Sequence, residues 1–241
     1  MSKCPYPVYF PENRRVSQGQ ESLIVEIEGK VEEIRLQDYD RIYRIPWLYD
    51  RIFELLGYNS PAAICEAFSK LLTKQGISPS ELRVLELGAG SGIVGGHLKK
   101  MGVGYLTGID ILNSAKEAVQ RDKPGLYEKY YAVDLTQLPE QIEQELKSQQ
   151  YNSMVVVSAT GWDHISVAGL EKALEILVPG AWVIYHTKRK QNDNSHGVSV
   201  KWIDQMIDSG RIELQLQEPC FHRYSINKEP IYYEIIIGSK K

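Results

Sequence analysis

The chain has 241 residues, enough for one large domain or one domain with an added segment, and its 43% hydrophobic and 24% charged residues are those of a folded globular protein. A net charge of −3 and a pI near 6.0 carry no basic excess, so a nucleic-acid partner is not expected, because phosphate binding leaves a Lys/Arg footprint. The three cysteines lack metal-ligand spacing, no apolar run approaches bilayer length, and the opening Met-Ser-Lys-Cys-Pro-Tyr-Pro has no apolar signal core. The expectation is a cytoplasmic protein with no metal and no membrane segment.

Residues 1–20 are rich in Pro, Arg, Gln and Gly and read as loop. Two alternating runs between Ser22 and Leu36 flank Glu28-Gly29-Lys30, which predicts a hairpin. An isolated hairpin is barely stable, so it must pack on the rest of the chain or pair with a second copy in a homodimer. An aromatic stretch follows from Asp38 to Gly57, divided by Pro46, which can end one helix and open another. Its aromatics form the buried face of amphipathic helices or the wall of a site. Ser60-Pro61 starts a further helix that stops near Gly76.

The alternation then becomes regular. Strands are predicted near 82–87, 104–110, 128–133, 152–158 and 181–187, with helices near 91–101, 114–123, 138–149, 166–177 and 198–208. Such a succession builds a parallel sheet with helices on both faces. Ile212–Leu216 and Ile231–Ile237 are two closing strands with no helix between them.

The first of these strands runs into Glu86-Leu87-Gly88-Ala89-Gly90-Ser91-Gly92-Ile93. Glycines there let the backbone turn tightly and let a ligand approach it. The following helix turns free N–H groups toward that ligand. A dinucleotide fingerprint would place its third glycine at Ile93, and Glu86 would repel a pyrophosphate. Both features suit S-adenosylmethionine (SAM), which has an ammonium group and no phosphate. Asp110 ends the second strand 22 residues beyond Gly88, where a carboxylate can take both ribose hydroxyls. Asp134 follows the third strand and can accept from the adenine amino group.

With ELGAGSG, GIDI, VDL and Val178-Pro179-Gly180 in register, residues 80–240 resemble the class I SAM-dependent methyltransferases. The resemblance implies an α/β fold, a Rossmann-like seven-stranded sheet with helices on both faces and an antiparallel final hairpin. It implies cofactor contacts from Glu86, Gly88, Ala89, Gly90, Gly92, Asp110, Ile111, Asp134, Leu135 and Ser158. The aromatic stretch, through Tyr39, Tyr43, Pro46, Leu48 and Tyr49, is similar to one that covers the SAM pocket in a bacterial subgroup of small-molecule methyltransferases. Residues 1–57 are thereby a hairpin and helical lid, with Tyr39 and Tyr43 facing the cofactor, and residues 58–241 the SAM-binding domain.

Methyl transfer from a sulfonium needs alignment and exclusion of water, and a base only where the nucleophile arrives protonated. In the family, the loop after the fourth strand lines the transfer site. His164 there is the first candidate base and His186, ending the fifth strand, the second. Trp47, Trp162 and Asp163 are candidate substrate contacts. Residues 190–197 are polar enough to gate a pocket, and His222-Arg223 reads as an exposed strand-end pair, with the binding of an acidic substrate by either residue as the alternative. The expected function is methylation of a small molecule at oxygen or nitrogen. The alternatives are a peptide, protein or RNA substrate or, in another class, an NAD(P)-dependent oxidoreductase, against which Glu86 and Ile93 argue.

Overall fold

The structure, a computed structural model, describes residues 3–12, 16–161, 164–188 and 198–241. Strand β2 (Ser22–Ile27) pairs with β1 (Val8–Tyr9) on one side and β3 (Lys30–Arg35) on the other in a small antiparallel sheet. Glu28 and Gly29 both take positive φ, 50° and 77°, the geometry of a two-residue turn whose twist matches the flanking strands. Helices α1 (Tyr39–Arg44) and α2 (Leu48–Leu55) follow, parted at Pro46 and Trp47. The inner face of the hairpin, Leu23, Val25 and Ile34, packs with Ile42, Ile45, Leu48 and Ile52 of this segment. Each such side chain, fully buried, stabilises the packing by about 1.5–3 kcal/mol. The hairpin therefore braces the helical segment within one chain.

Helix α3 (Ser60–Gln75) leads into the main sheet: β4 (Arg83–Leu87), α4 (Ile93–Met101), β5 (Tyr105–Asp110), α5 (Asn113–Asp122), β6 (Lys129–Ala132), α6 (Glu140–Ser148), β7 (Ser153–Val157), α7 (Val167–Ile176), β8 (Trp182–Thr187), α8 (Val198–Asp208), β9 (Ile212–Tyr224) and β10 (Pro230–Lys240). The spatial order is β6-β5-β4-β7-β8-β10-β9, parallel from β6 to β8, with β10 antiparallel to both β8 and β9. This is the expected seven-stranded, Rossmann-like arrangement. Leu85, Leu87, Met154, Val156, Val183 and Tyr185 pack with α6, α7 and α8. The alternate residues Val84, Val155, Val157 and Ile184 pack with α3 and α4. Both faces are covered, so the central strands are apolar throughout.

The order of strands reverses between β4 and β7, and that switch point opens a crevice at their carboxyl ends. One expectation needs correction. Strand β9 runs 13 residues to Tyr224, so His222 and Arg223, at 3% and 4% exposure, are buried ladder residues and not an exposed strand-end pair. Among the described residues no helix is long and apolar enough to cross a membrane.

Candidate active site

Strand β4 delivers its glycine loop to the crevice. Gly88 and Gly90 have φ of 63° and 53°. A Cβ on Gly88 would lie 2.4 Å from the Ala159 Cβ, and one on Gly90 would lie 2.5 Å from the Tyr43 hydroxyl. Only glycine fits between the sheet below and the tyrosine above. Asp110, at the end of β5, clasps this loop: Oδ2 accepts from the Gly90 N–H at 2.9 Å and Oδ1 from the Leu112 N–H at 3.0 Å. Burial pushes the Asp110 carboxyl above its ordinary pKa, and these N–H bonds pull it back down. Asp134 is held by Thr136, whose N–H and hydroxyl both donate to Oδ1 at 2.8 Å.

The cavity over the loop has a volume of about 730 Å³. Gly88, Ala89, Gly90, Asp110, Ile111, Asp134, Leu135 and Ser158 all line it, together with Tyr39 and Tyr43. Ile111, at 63% exposure, and Leu135 supply apolar surface beside the two carboxylates, which suits an adenosine. The glycine cradle and the strand-end acids thus fit SAM.

Two residues expected at the cofactor do not line the cavity. Glu86 is 2% exposed and lies under the start of α4, where its Oε2 accepts from the Tyr127 hydroxyl at 2.9 Å. Burial raises its pKa to about 8, against the pull of Tyr127, Lys123 and the Gly95 N–H. Gly92 caps α4 with φ 76° and packs against Leu126 and Tyr127, which a Cβ would strike. A polar tie that the sequence did not signal secures the same loop: Asp50 of α2 accepts from the Ser91 hydroxyl at 2.9 Å and pairs with Lys123 at 2.5 Å.

Beyond the loop the wall is aromatic. Tyr49 and Phe53 of α2, Tyr58, His222 and Tyr233 join Tyr39 and Tyr43. His164 also lines this part, with its ring edge-on to Tyr39 at 5.6 Å. Ser158 holds a left-handed backbone, φ 57°, at the end of β7, and its hydroxyl lies 3.4 Å from the Tyr58 hydroxyl and 3.2 Å from His186 Nδ1. His186 itself is fully buried behind Ser158, away from the cavity, with Cys220 Sγ at 3.5 Å from Nε2. Burial pushes its pKa down to about 3, so it is a neutral imidazole and a poor proton acceptor. Trp47 is also remote: its backbone N–H donates to Asp122 at 3.0 Å and its ring lies beneath Lys3. Trp162, Asp163 and the polar stretch 190–197 lie outside the described residues. Among the described residues no cluster of His, Cys, Asp and Glu could hold a metal ion.

Sequence reasoning passed over Gln18, Gln37, Phe53, Tyr58 and Tyr233 as site residues. Phe53 sits in the aromatic stretch that signals a wall, whereas the others carry no local signal.

Solved structures of similar fold include the magnesium protoporphyrin IX methyltransferase of Synechocystis PCC 6803 with bound SAM (TM-score 0.54, 14% identity, 76% of this chain and 80% of that one). A protein of Pyrococcus horikoshii proposed to be an RNA methyltransferase is equally similar (TM-score 0.54, 16% identity, 76% of this chain and 87% of that one). The N-methyltransferase NodS of Bradyrhizobium japonicum WM9 shares the fold as well (TM-score 0.50, 14% identity, 74% of this chain and 97% of that one). These likenesses concern the fold alone. No curated protein sequence matches this chain. The sequence pattern of a family described as lysine methyltransferase matches residues 59–205, from the start of α3 into α8. With more than half its length inside that pattern and a cavity that fits SAM, the chain belongs to this family and is a SAM-dependent methyltransferase.

Proposed function

We propose that the enzyme methylates an oxygen or nitrogen of a small molecule held in the cavity beyond the glycine loop, in the manner of the bacterial subgroup with an aromatic N-terminal cover. The observation that carries this reading is the aromatic wall. Tyr39 and Phe53 from the N-terminal segment, Tyr58 just after it and Tyr233 from the terminal hairpin line the space next to the cofactor cradle, flat apolar surface that suits a small molecule. The free thiols of Cys65 and Cys220 fit a cytoplasmic setting.

SAM, when bound, supplies a methyl group already activated on a sulfonium. The chain's own residues then have to hold and align. Asp110 and Asp134 fix the nucleoside end by accepting hydrogen bonds, and the glycine loop lets it lie against backbone. The aromatic wall excludes water and orients the acceptor. His164 is the candidate base on the wall, since burial holds His222, like His186, neutral. If it is the base, His164→Ala lowers turnover about 10²- to 10⁴-fold with SAM affinity unchanged. Equal turnover would mean that the nucleophile arrives unprotonated.

The family description favours a second reading, a protein lysine as acceptor. The deciding experiment incubates the pure enzyme with methyl-labelled SAM and a bacterial extract, then separates label by size. Label in the small-molecule fraction supports the proposal. Label confined to protein, on lysine, overturns it.

A further inference from the structure

The glycine loop is held from two sides. From the sheet, the Asp110 carboxylate takes the Gly90 N–H, the Tyr130 hydroxyl donates to the Gly90 carbonyl at 2.8 Å, and the Ala89 N–H donates to the Ile109 carbonyl at 3.0 Å. From outside, Ser91 is held by side chain and by backbone. Its hydroxyl donates to Asp50 Oδ2 at 2.9 Å, and its carbonyl accepts from Lys123 Nζ at 2.8 Å. Lys123 pairs with Asp50 Oδ1 at 2.5 Å, so the three residues close a ring. The end of α5 thus grips the start of α2 twice, since Asp122, next to Lys123, accepts the Trp47 backbone N–H at 3.0 Å.

Ser91 is 2% exposed, and the Asp50 and Lys123 side chains keep only 25% and 17% of their surface. Drawing two charges out of water costs free energy, which offsets much of what such a pair contributes to stability. Nor does α2 need the pair to stay attached: Leu48 and Ile52, both fully buried, already pack it against the hairpin. What the ring adds is a fixed position. A segment with glycines at 88, 90 and 92 has wide backbone freedom, and ordering it costs conformational entropy. A loop held in its binding shape beforehand spares the cofactor that cost. The same helix carries part of the wall. Tyr49, beside Asp50, and Phe53, one turn beyond it, line the cavity, whereas Asp50 itself does not.

We infer that Asp50 is a positioning residue of the cofactor site. Through Ser91 it sets the glycine loop, and in return a cofactor on the loop steadies α2 and with it the Tyr49 and Phe53 rings on the substrate wall. Coupling of this kind is reciprocal. The inference rests on the SAM assignment and is independent of which acceptor is methylated.

The test uses the full chain, with S-adenosylhomocysteine affinity by calorimetry, urea denaturation without ligand, and amide hydrogen exchange across residues 48–55. Asp50→Ala and Ser91→Ala should each weaken S-adenosylhomocysteine about 3- to 10-fold, the range for one lost hydrogen bond, in chains that remain folded. The double variant should bind no more weakly than the poorer single one, because both changes remove the same tie. In the wild type S-adenosylhomocysteine should slow exchange in residues 48–55, and by a smaller factor in either variant. A residue that only supported the fold would lower the urea midpoint and leave affinity and ligand-induced protection unchanged. Should Asp50→Ala unfold the chain by leaving Lys123 unpaired, Asp50→Ala with Lys123→Met takes its place. Wild-type affinity in the folded variants, additive losses, or exchange in residues 48–55 indifferent to ligand would overturn the inference. A wild-type chain that bound neither SAM nor S-adenosylhomocysteine would overturn it together with the SAM assignment beneath it.

Discussion

The two halves of the cavity are built differently. The cofactor half is local: within about 25 residues, β4, its glycine loop and the end of β5 bring Gly88, Gly90 and Asp110 together. The substrate half is assembled from distant pieces. Glu21 and Arg223, 202 positions apart in the chain, form its anchoring ion pair, and Tyr58 meets Ser158 across 100 positions. The halves touch where Tyr43 stands over Gly90 and where Asp50 holds Ser91. A site with one local and one remote half can keep its cofactor while its substrate wall changes, since short backbone contacts hold the first and side-chain pairs hold the second.

The comparison breaks most readily at Glu21. Glu21→Ala leaves Arg223 charged, buried and unpaired, which costs on the order of 3–5 kcal/mol. Urea denaturation should show that loss, and Glu21→Leu with Arg223→Met should restore most of it. An undisturbed single variant would mean that the remote half does not depend on this pair.

Glu86 tests the local half through pH. Its folded pKa, about 8, lies above the ordinary carboxyl value, so between about pH 4 and pH 8 the folded chain binds more protons than the unfolded one. Its contribution to stability is therefore full below about pH 4 and is lost as pH rises through about 8, an effect on the order of 2–4 kcal/mol. Glu86→Gln stays uncharged at every pH, so the denaturation midpoint of this variant should fall less than wild type across the window. Parallel pH curves for the two proteins would refute this account of Glu86.

Asp110 sharpens the comparison at the cofactor. Asp110→Ala removes two loop bonds and the charge-assisted acceptor, and should weaken SAM tenfold or more in calorimetry, about 1.5–3 kcal/mol. An unchanged affinity would take Asp110 out of the site. The smallest effect is expected where the halves meet. Gly90→Ala forces a Cβ into left-handed backbone, at about 1–2 kcal/mol, and toward the Tyr43 hydroxyl. Tyr43→Phe in the same chain should recover part of the loss in thermal stability. Strict additivity of the two changes would mean that loop and cover are not in contact.

The alternation of strands and helices, the glycine loop and the strand-end acids were legible in the amino-acid sequence because each rests on short-range spacing: period, turn residues and one carboxylate per strand end. The aromatic cover was legible as a stretch, though not in its facing. Tyr39 and Tyr43 turn inward, whereas Trp47 takes a left-handed backbone after Pro46, gives its backbone N–H to Asp122 and sets its ring under Lys3. Burial decided the rest. Nothing next to His186 in the chain reveals that β10 and β9 bury it against Cys220, or that this keeps its imidazole neutral. Nor does the run from Cys220 to Tyr224 reveal that it continues a 13-residue strand, because its partner, β10, stays in register only through two irregularities in the pairing. The sequence by itself determined the glycine loop and the strand-end acids, since these depend on backbone shape within one strand-turn-helix unit. Only the tertiary structure decided what lines the rest of the cavity, because that depends on which buried charges and rings distant segments bring to the same wall.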